Sequence, residues 1–578
     1  MKKSTMKKLG SMILACLMVV STFATLSTVA YAESNSYKTK IHETYLELDP
    51  EELAALTADP TTYDISVFIE FVSSAEELAA LYSNDPVEQR EKGKNYHSNK
   101  NKRLKEVLEL ENAYVSNLAP FAEIQYDSIE EYEASWKQIR SIAKSKDVKD
   151  IDVMINNLTD QGDQIENITD SSDDEESTKA DGESGLDYSL ADIYRDVGIV
   201  DNQYTGQDVT VGVVEYGVPD STSHILPENY FEEGGFSTLH ARLTTSLIGG
   251  LYGIAEDVTF YCAAAGHSYL FSALEWVVDE QYVQIVNLSY GLSHVRGFYD
   301  NMAAYVDYLS YQYYCLFIIA AGNQGADDDY GAIVLPACST NAITVGAMNI
   351  EKQVRYKSSY LHEVEGLLKP DLVAPGENIL YHPDVYAETD KGYNSGTSYA
   401  APIVTGIAAR LMEEFPALLP WEVKAILIQS CEKLPNQVEE HDTYAGAGLV
   451  NYTNARAIAQ AGNYQTFTKS SSMSDGAYLG WKSVIIPANS TMRLYFHIQN
   501  PGTDTNRTDF GEIDYVTSTY QIGIGRDTTT TYYTTNYVVF ENTSSESLEY
   551  AVLIFLVENN WGSNYEWVSI AYDFTPIT

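Results

Sequence analysis

Apolar and polar positions alternate over Asp64-Ile65-Ser66-Val67-Phe68-Ile69-Glu70-Phe71, the period of a strand with one buried face. Residues 104–118 carry apolar side chains at helical spacing in a charged background, 121–126 read as a second strand, 129–143 as a helix and 148–155 as a third strand. Residues 33–156 are thus predicted to form a small α+β unit of strand–helix–strand–helix–strand order. Over 157–185 the apolar periodicity stops, and Asp, Glu, Ser and Thr dominate, the composition of a disordered linker open to cleavage. Across 186–462 short apolar strands (209–215, 258–263, 285–289, 315–320, 342–347) alternate with helical patterns. That alternation predicts an α/β domain with a parallel sheet flanked by helices. From 463 to 578 the pattern turns to Thr-, Tyr-, Val- and Ser-rich strands (494–498, 520–524, 550–557, 567–572) split by Asn, Gly and Asp turns. This predicts an all-β sandwich domain.

The first residues follow a different logic. Lys2, Lys3, Lys7 and Lys8 precede an apolar run over 12–30 that ends in Ala30-Tyr31-Ala32, so 1–32 read as a signal peptide cleaved after Ala32. Ser21, Thr22, Thr25, Ser27 and Thr28 interrupt the run, against a retained anchor, and Cys16 has too little apolar sequence before it for a lipoprotein. No other segment is long and apolar enough for a bilayer, so the expected product is secreted and extracellular, with no membrane partner after cleavage. A net charge of −46 repels nucleic acid and anionic lipid, and no nucleic-acid partner is expected. Cys262, Cys315, Cys338 and Cys431 lie in apolar surroundings without regular spacing, which favours buried thiols over a disulfide framework.

One heptapeptide carries most of the chemistry. In Gly396-Thr397-Ser398-Tyr399-Ala400-Ala401-Pro402 small residues surround one hydroxyl, and an apolar helical run follows. A nucleophilic serine mounted this way sits where helix N–H groups and the positive end of the dipole meet developing negative charge. A merely capped core helix would read the same. An acyl-transfer serine also needs a base, a group orienting that base, and an oxyanion hole. Glu215 ends a buried strand, His240 opens a helical run into Gly249-Gly250, and Ala320-Ala321-Gly322-Asn323 puts an amide after another strand. Singly, these also fit a solvated strand end, a structural histidine and turn chemistry.

Together they resemble the subtilisin-like serine peptidases (subtilases). The order acid, His, Ser is theirs. So are the blocks Thr205-Gly206-Gln207-Asp208-Val209-Thr210-Val211, Val286-Asn287-Leu288-Ser289-Tyr290-Gly291, Gly322-Asn323-Gln324-Gly325, Lys369-Pro370-Asp371-Leu372-Val373-Ala374-Pro375-Gly376 and Tyr444-Ala445-Gly446-Ala447-Gly448-Leu449-Val450-Asn451. The resemblance implies a subtilisin-like fold over 186–462 and a secreted endopeptidase acting on protein or peptide substrates. It implies Ser398 as nucleophile, His240 as base, Glu215 as orienting acid, and Asn323 with the Ser398 N–H as oxyanion hole. Ser289, Tyr290 and Gly291 would pair with an extended substrate, and Ala321 and Gly322 would wall the main specificity pocket. Val334, deep in that pocket, suggests a preference for small or medium apolar side chains.

The resemblance further casts 33–156 as a prodomain, an intramolecular chaperone and inhibitor, removed by self-cleavage between Asn157 and Asp187. No cofactor is required. Calcium is a structural ion in many relatives, and Asp327-Asp328-Asp329 could supply ligands, though a solvated acidic loop has the same composition. Two departures stand out. Subtilases carry Asp where this chain has Glu215, with Asp220 the substitute of second rank, and Ala241-Arg242-Leu243 replaces the family's residues after His240. His224 reads as a loop residue. The departures keep two alternatives open: a catalytically impaired member acting in peptide binding or signalling, and a narrow processing protease for an exported precursor. The C-terminal domain reads as a stabilising appendage or as a module binding substrate or envelope.

Overall fold

The computed structural model describes residues 41–43, 63–157, 187–219, 230–231, 238–265, 270–291, 299–326, 333–361, 367–381, 393–470, 472–474, 477–499, 505–507, 513–515, 519–524, 535–558 and 566–577. The expected signal peptide, the acidic linker, Asp220, His224 and Asp327–Asp329 lie outside them.

Strands β1 (Ile41–Glu43), β2 (Tyr63–Phe71), β3 (Tyr114–Val115), β4 (Phe121–Tyr126) and β5 (Val148–Asn157) form one sheet in the order β1-β5-β2-β4-β3. Helices α1 (Ala75–Leu81), α2 (Pro86–Val107) and α3 (Ile129–Ala143) accompany it. One expectation fails here. The helix predicted over 104–118 ends at Val107, and a turn with Glu109 at positive φ leads into β3. The helix lies upstream because Asp85 caps it, accepting from the Val87 N–H at 2.9 Å, and Pro86 occupies its first turn. Periodicity did not reveal it because its buried residues are mostly polar: Gln89, Gly93, His97, Asn101 and Leu104.

The middle of the chain builds a seven-stranded sheet in the order β12-β11-β10-β9-β6-β8-β7, every neighbouring pair parallel. Its strands are β6 (Thr210–Glu215), β7 (Tyr230–Phe231), β8 (Thr259–Ala264), β9 (Ile285–Leu288), β10 (Leu316–Ala320), β11 (Ile343–Met348) and β12 (Leu372–Pro375). The five predicted strands agree with β6 and β8–β11 to within a residue or so at each end, whereas β7 and β12 were not anticipated. Helices α4 (Leu190–Asp196), α5 (Leu239–Ile248), α6 (Leu270–Glu275, continued by a π turn over Trp276–Glu280) and α7 (Asn301–Tyr313) come before β11. After a short hairpin of β13 (Ile379–Leu380) and β14 (Tyr393–Asn394) follow α8 (Thr397–Glu414), α9 (Pro420–Gln429) and α10 (Tyr452–Ala461). The sheet is buried on both faces: Leu316 and Ile318 join the core containing α8, and Phe317 and Ile319 join the core containing α6 and α7. Cys262, Cys315, Cys338 and Cys431 are buried free thiols.

The N-terminal unit docks on α6 and α7. Phe68, Leu118, Phe121 and Met154 share a core with Phe271 and Tyr305, whose rings stack at 3.8 Å. Carboxylates cross this interface to helix starts. Glu123 accepts from the Phe271 N–H at 3.1 Å, and Asp152 accepts from the Asn301 N–H at 3.1 Å. In the other direction Glu275 accepts from the Ser116 hydroxyl, from Tyr114 Oη at 2.8 Å and from the Asn117 N–H at 3.1 Å. Burial pushes the Glu275 carboxyl up, against the pull of these donors.

The C-terminal residues form a sheet of β15 (Tyr464–Lys469), β23 (Glu566–Pro576), β17 (Ser490–Ile498) and β21 (Thr535–Asn542), opposed by one of β16 (Tyr478–Ile486), β22 (Leu548–Glu558) and β20 (Thr519–Ile524). Side chains of both sheets, Leu494 and Ile570 with Ile486 and Val552 among them, make one core, which is a β-sandwich. A pair of short strands, β18 (Thr505–Arg507) and β19 (Ile513–Tyr515), accompanies it. Trp567 of β23 stacks on Trp421 of α9 at 4.4 Å, and Tyr82 of the N-terminal unit meets Trp567 at 5.9 Å. Three parts of the chain therefore share one aromatic cluster. Replacing the buried Trp421 by Ala should destabilise the fold by about 3–5 kcal/mol, the usual loss for an aromatic core truncation. Equilibrium denaturation measures it, and a loss below about 1 kcal/mol would mean that the junction carries little of the stability.

Candidate active site

Strand order reverses around β6, whose neighbours β8 and β9 are reached in opposite directions, and such a point opens a crevice at the carboxyl ends of the strands. Glu215, 2% exposed, is the last residue of β6 and projects a carboxylate there. His240 is the second residue of α5, whose N-cap Thr238 accepts from the Ala241 N–H at 3.1 Å. This cap fixes the helix start and so the height of the imidazole above the sheet. His240 Nδ1 lies 3.1 Å from Glu215 Oε2. The other carboxylate oxygen, Oε1, accepts from the Thr244 hydroxyl at 2.8 Å. Burial works against a charged imidazole, but the adjacent Glu215, through its charge and its hydrogen bond, holds His240 above the ordinary 6.5.

Ser398 is the second residue of α8 and is tied to the segment after β9. The Ser289 hydroxyl donates to Ser398 O at 3.0 Å, and the Ser398 hydroxyl lies 3.4 Å from Ser289 O. Asn323 Oδ1 accepts from the Thr397 N–H at 3.1 Å, and the Thr397 hydroxyl meets both the Gly322 N–H at 3.0 Å and Gly322 O at 3.2 Å. The ring of Tyr399, the next residue, lies 5.5 Å from that of His240. Thus α8 touches the loops after β9 and β10 and the imidazole on α5.

The loops that follow β9 and β10 close around Val334. A Cβ at Gly291 would lie 2.5 Å from Val334 Cγ2, and one at Gly322 would lie 2.5 Å from Val334 Cγ1. Gly322 also has a φ of +109°, so this approach needs glycine twice over. Ala321 is buried and its carbonyl holds the Val334 N–H at 2.9 Å, and Tyr290 is buried beside Gly291. The structure thus brings Glu215 to His240, Ser398 to Ser289, and Asn323 to the start of the Ser398 helix. Thr244, Thr397 and Tyr399 were not singled out from the sequence. Thr244 stands four residues after His240, on the same face of α5, but that spacing alone does not mark it as a partner of Glu215. Among the described residues no group of three or more His, Cys, Asp or Glu could hold a metal ion, and no helix is long and apolar enough to cross a membrane.

An acid-paired imidazole at the carboxyl edge of a parallel sheet, with a serine opening a buried helix, is compatible with the class of the serine peptidases, although no hydrogen bond joins His240 to Ser398 here. Residues 240–448 match the family model described as the subtilase family. Subtilisin DY of Bacillus licheniformis is 26% identical over 273 residues, covering 43% of this chain and 90% of that protein. Serine protease AprX of Bacillus subtilis (strain 168) is 37% identical over 155 residues, 24% of this chain and 34% of that protein. Among solved structures, a mutant of the protease domain of PatA is 24% identical, with a TM-score of 0.38, over 45% of this chain and 99% of that one. The family match and these relatives support a subtilisin-like serine endopeptidase over the central domain.

The electrostatics of the pair are open to measurement without an activity assay. Glu215→Gln removes the charge that opposes burial, so the His240 pKa should fall below 6.5, read from its ring protons by NMR titration. An unchanged pKa would mean that Glu215 is not what charges the ring.

Proposed function

We propose that the chain is an exported endopeptidase, made as a self-processed precursor, that cleaves peptide bonds through an acyl-enzyme on Ser398. The observation that carries this reading is the Glu215–His240 contact through Nδ1. A carboxylate on Nδ1 keeps the proton there and leaves Nε2 as the base. His240 Nε2 then takes the proton of the Ser398 hydroxyl as Oγ attacks the scissile carbonyl, and delivers it to the leaving amine as the tetrahedral intermediate collapses. Water, activated by the same nitrogen, releases the acyl group. Glu215 steadies the imidazolium formed in both steps.

Negative charge on the carbonyl oxygen calls for donors. Because Asn323 Oδ1 is engaged by the Thr397 N–H, the amide nitrogen is the end left to donate. With the Ser398 N–H in the first turn of α8, it would form the oxyanion hole. An extended substrate would lie along Ser289-Tyr290-Gly291, its side chain before the cut entering between Gly291 and Ala321-Gly322. Val334 fills that space and supports a preference for small or medium apolar residues. The docking of residues 63–157 on α6 and α7 by reciprocal carboxylates supports a prodomain role for the N-terminal unit.

The test is a mass determination after expression from residue 33, beside Ser398→Ala. The parent chain should lose its N-terminal segment with a cut between Asn157 and Asp187, and the variant should stay intact. If both stay intact while folded, the impaired, peptide-binding reading replaces this one. For the pocket, Val334→Gly should raise kcat/KM for Phe or Tyr before the cut, relative to Ala, by about tenfold or more. A parent profile already dominated by Phe or Tyr would refute the assignment of Val334.

A further inference from the structure

Glutamate at the orienting position brings one more rotatable bond than aspartate, and a carboxylate that samples several rotamers holds an imidazole poorly. Something must remove that freedom. Glu215 is pinned at both oxygens by one helix: Oε2 by His240 Nδ1 at 3.1 Å and Oε1 by the Thr244 hydroxyl at 2.8 Å. His240 and Thr244 are one turn apart on α5, and Thr244 is fully buried. The Thr244 hydroxyl also lies 3.1 Å from Ala241 O, the local bond that helical threonines ordinarily make. Its single proton favours the nearer, charged acceptor. The next residue supplies a comparison within the same helix. Thr245 is equally buried, but its hydroxyl donates to Ala241 O at 2.6 Å instead of to Glu215.

We propose that Thr244 is a positioning residue for catalysis: it locks the longer Glu215 side chain in the one rotamer that holds His240 for proton transfer. It touches no reacting atom and acts only through Glu215. The inference rests on reading Glu215, His240 and Ser398 as the working triad. A hydrogen bond to a buried carboxylate is worth roughly one to two powers of ten in an equilibrium. Thr244→Val should therefore lower kcat about tenfold to a hundredfold with KM nearly unchanged, because substrate contacts are untouched.

The experiment follows hydrolysis of a peptide ester with Ala before the cut, with active sites counted by a fluorophosphonate, beside the rate of self-processing of the precursor. Thr244→Val should slow both by similar factors, Thr244→Ser should restore most of each, and Thr245→Val should stay within about twofold of the parent. If Thr244→Val fails to fold, Thr244→Ala set against Thr244→Ser decides, since only the hydroxyl distinguishes their expected rates. Equal rates for the hydroxyl and non-hydroxyl variants, or a rise in KM with kcat intact, would overturn the proposal. A parent whose activity survives Ser398→Ala would instead overturn the triad reading beneath it, so the two failures are distinguishable.

Discussion

Every α-helix begins with backbone N–H groups that its own turns cannot satisfy, and the use made of them organises this molecule. Most helices here close the account locally: Ser74, Asp85, Ser128, Ser189, Thr238, Asp300 and Asn451 each accept from the first turn of the helix they precede. Helix α8 begins differently. Gly396 offers no side chain, and the Thr397 N–H is satisfied from a distance by Asn323. A capping side chain would stand where the proposed oxyanion site opens. Ser398 thus belongs to a long core helix whose start is held by a neighbouring loop, and the same bond that satisfies Thr397 orients the Asn323 amide.

The same constraint explains how the N-terminal unit holds to the rest. The starts of α6 and α7 receive Glu123 and Asp152 from the N-terminal sheet, while Glu275, at the end of α6, collects donors from the segment around Ser116. Apolar area alone would let the sheet slide on the two helices. Reciprocal capping sets its register, and it does so with buried charge: Asp152 and Asp300 are both pushed up, burial being the main cause, with Asp300 at about 7. An interface that buries carboxylates at helix starts grips most firmly when they are satisfied by those N–H groups. That reciprocity is compatible with the proposed role of the unit as a prodomain.

Legibility tracked the kind of side chain each element buries. Strands β6 and β8 to β11 are continuous apolar runs, and the sequence marks them almost to the residue. Helix α2 escaped because its inner face is polar: the Gln89 amide reaches Tyr311 O, the Asn101 amide reaches Ser116 O and Ala119 O, and His97 meets Tyr308. Apolar periodicity carries no trace of a face built for hydrogen bonding, so the apolar spacing points too late in the chain. Strands β7 and β12, and β15, β16 and β21 of the sandwich, were missed for a related reason. They are short, or alternate with polar residues on the exposed side, and only their neighbours define them. At the candidate site, Glu215, His240 and Ser398 stand out in the sequence because each lies at the end or start of an element, and Asn323 because it follows β10 within three residues. Thr244 does not, because a buried threonine inside a helix carries no signature until the partner of its hydroxyl is known.

The Glu215 departure shows how a longer side chain fits a constellation usually built on a shorter one. The strand end and the helix are fixed by the sheet and by the Thr238 cap, so an added methylene cannot be absorbed by moving either. It must be absorbed by folding the side chain back and holding it there. Two donors one helical turn apart suit a carboxylate, whose two oxygens are set at a fixed angle. Helix α5 offers that pair, an imidazole and a hydroxyl, on its sheet-facing side. An aspartate at 215 could reach one of them but would leave the Thr244 hydroxyl to its local bond with Ala241. The glutamate and the threonine are in this sense one adaptation, spread over a strand and a helix and joined by a single hydrogen bond.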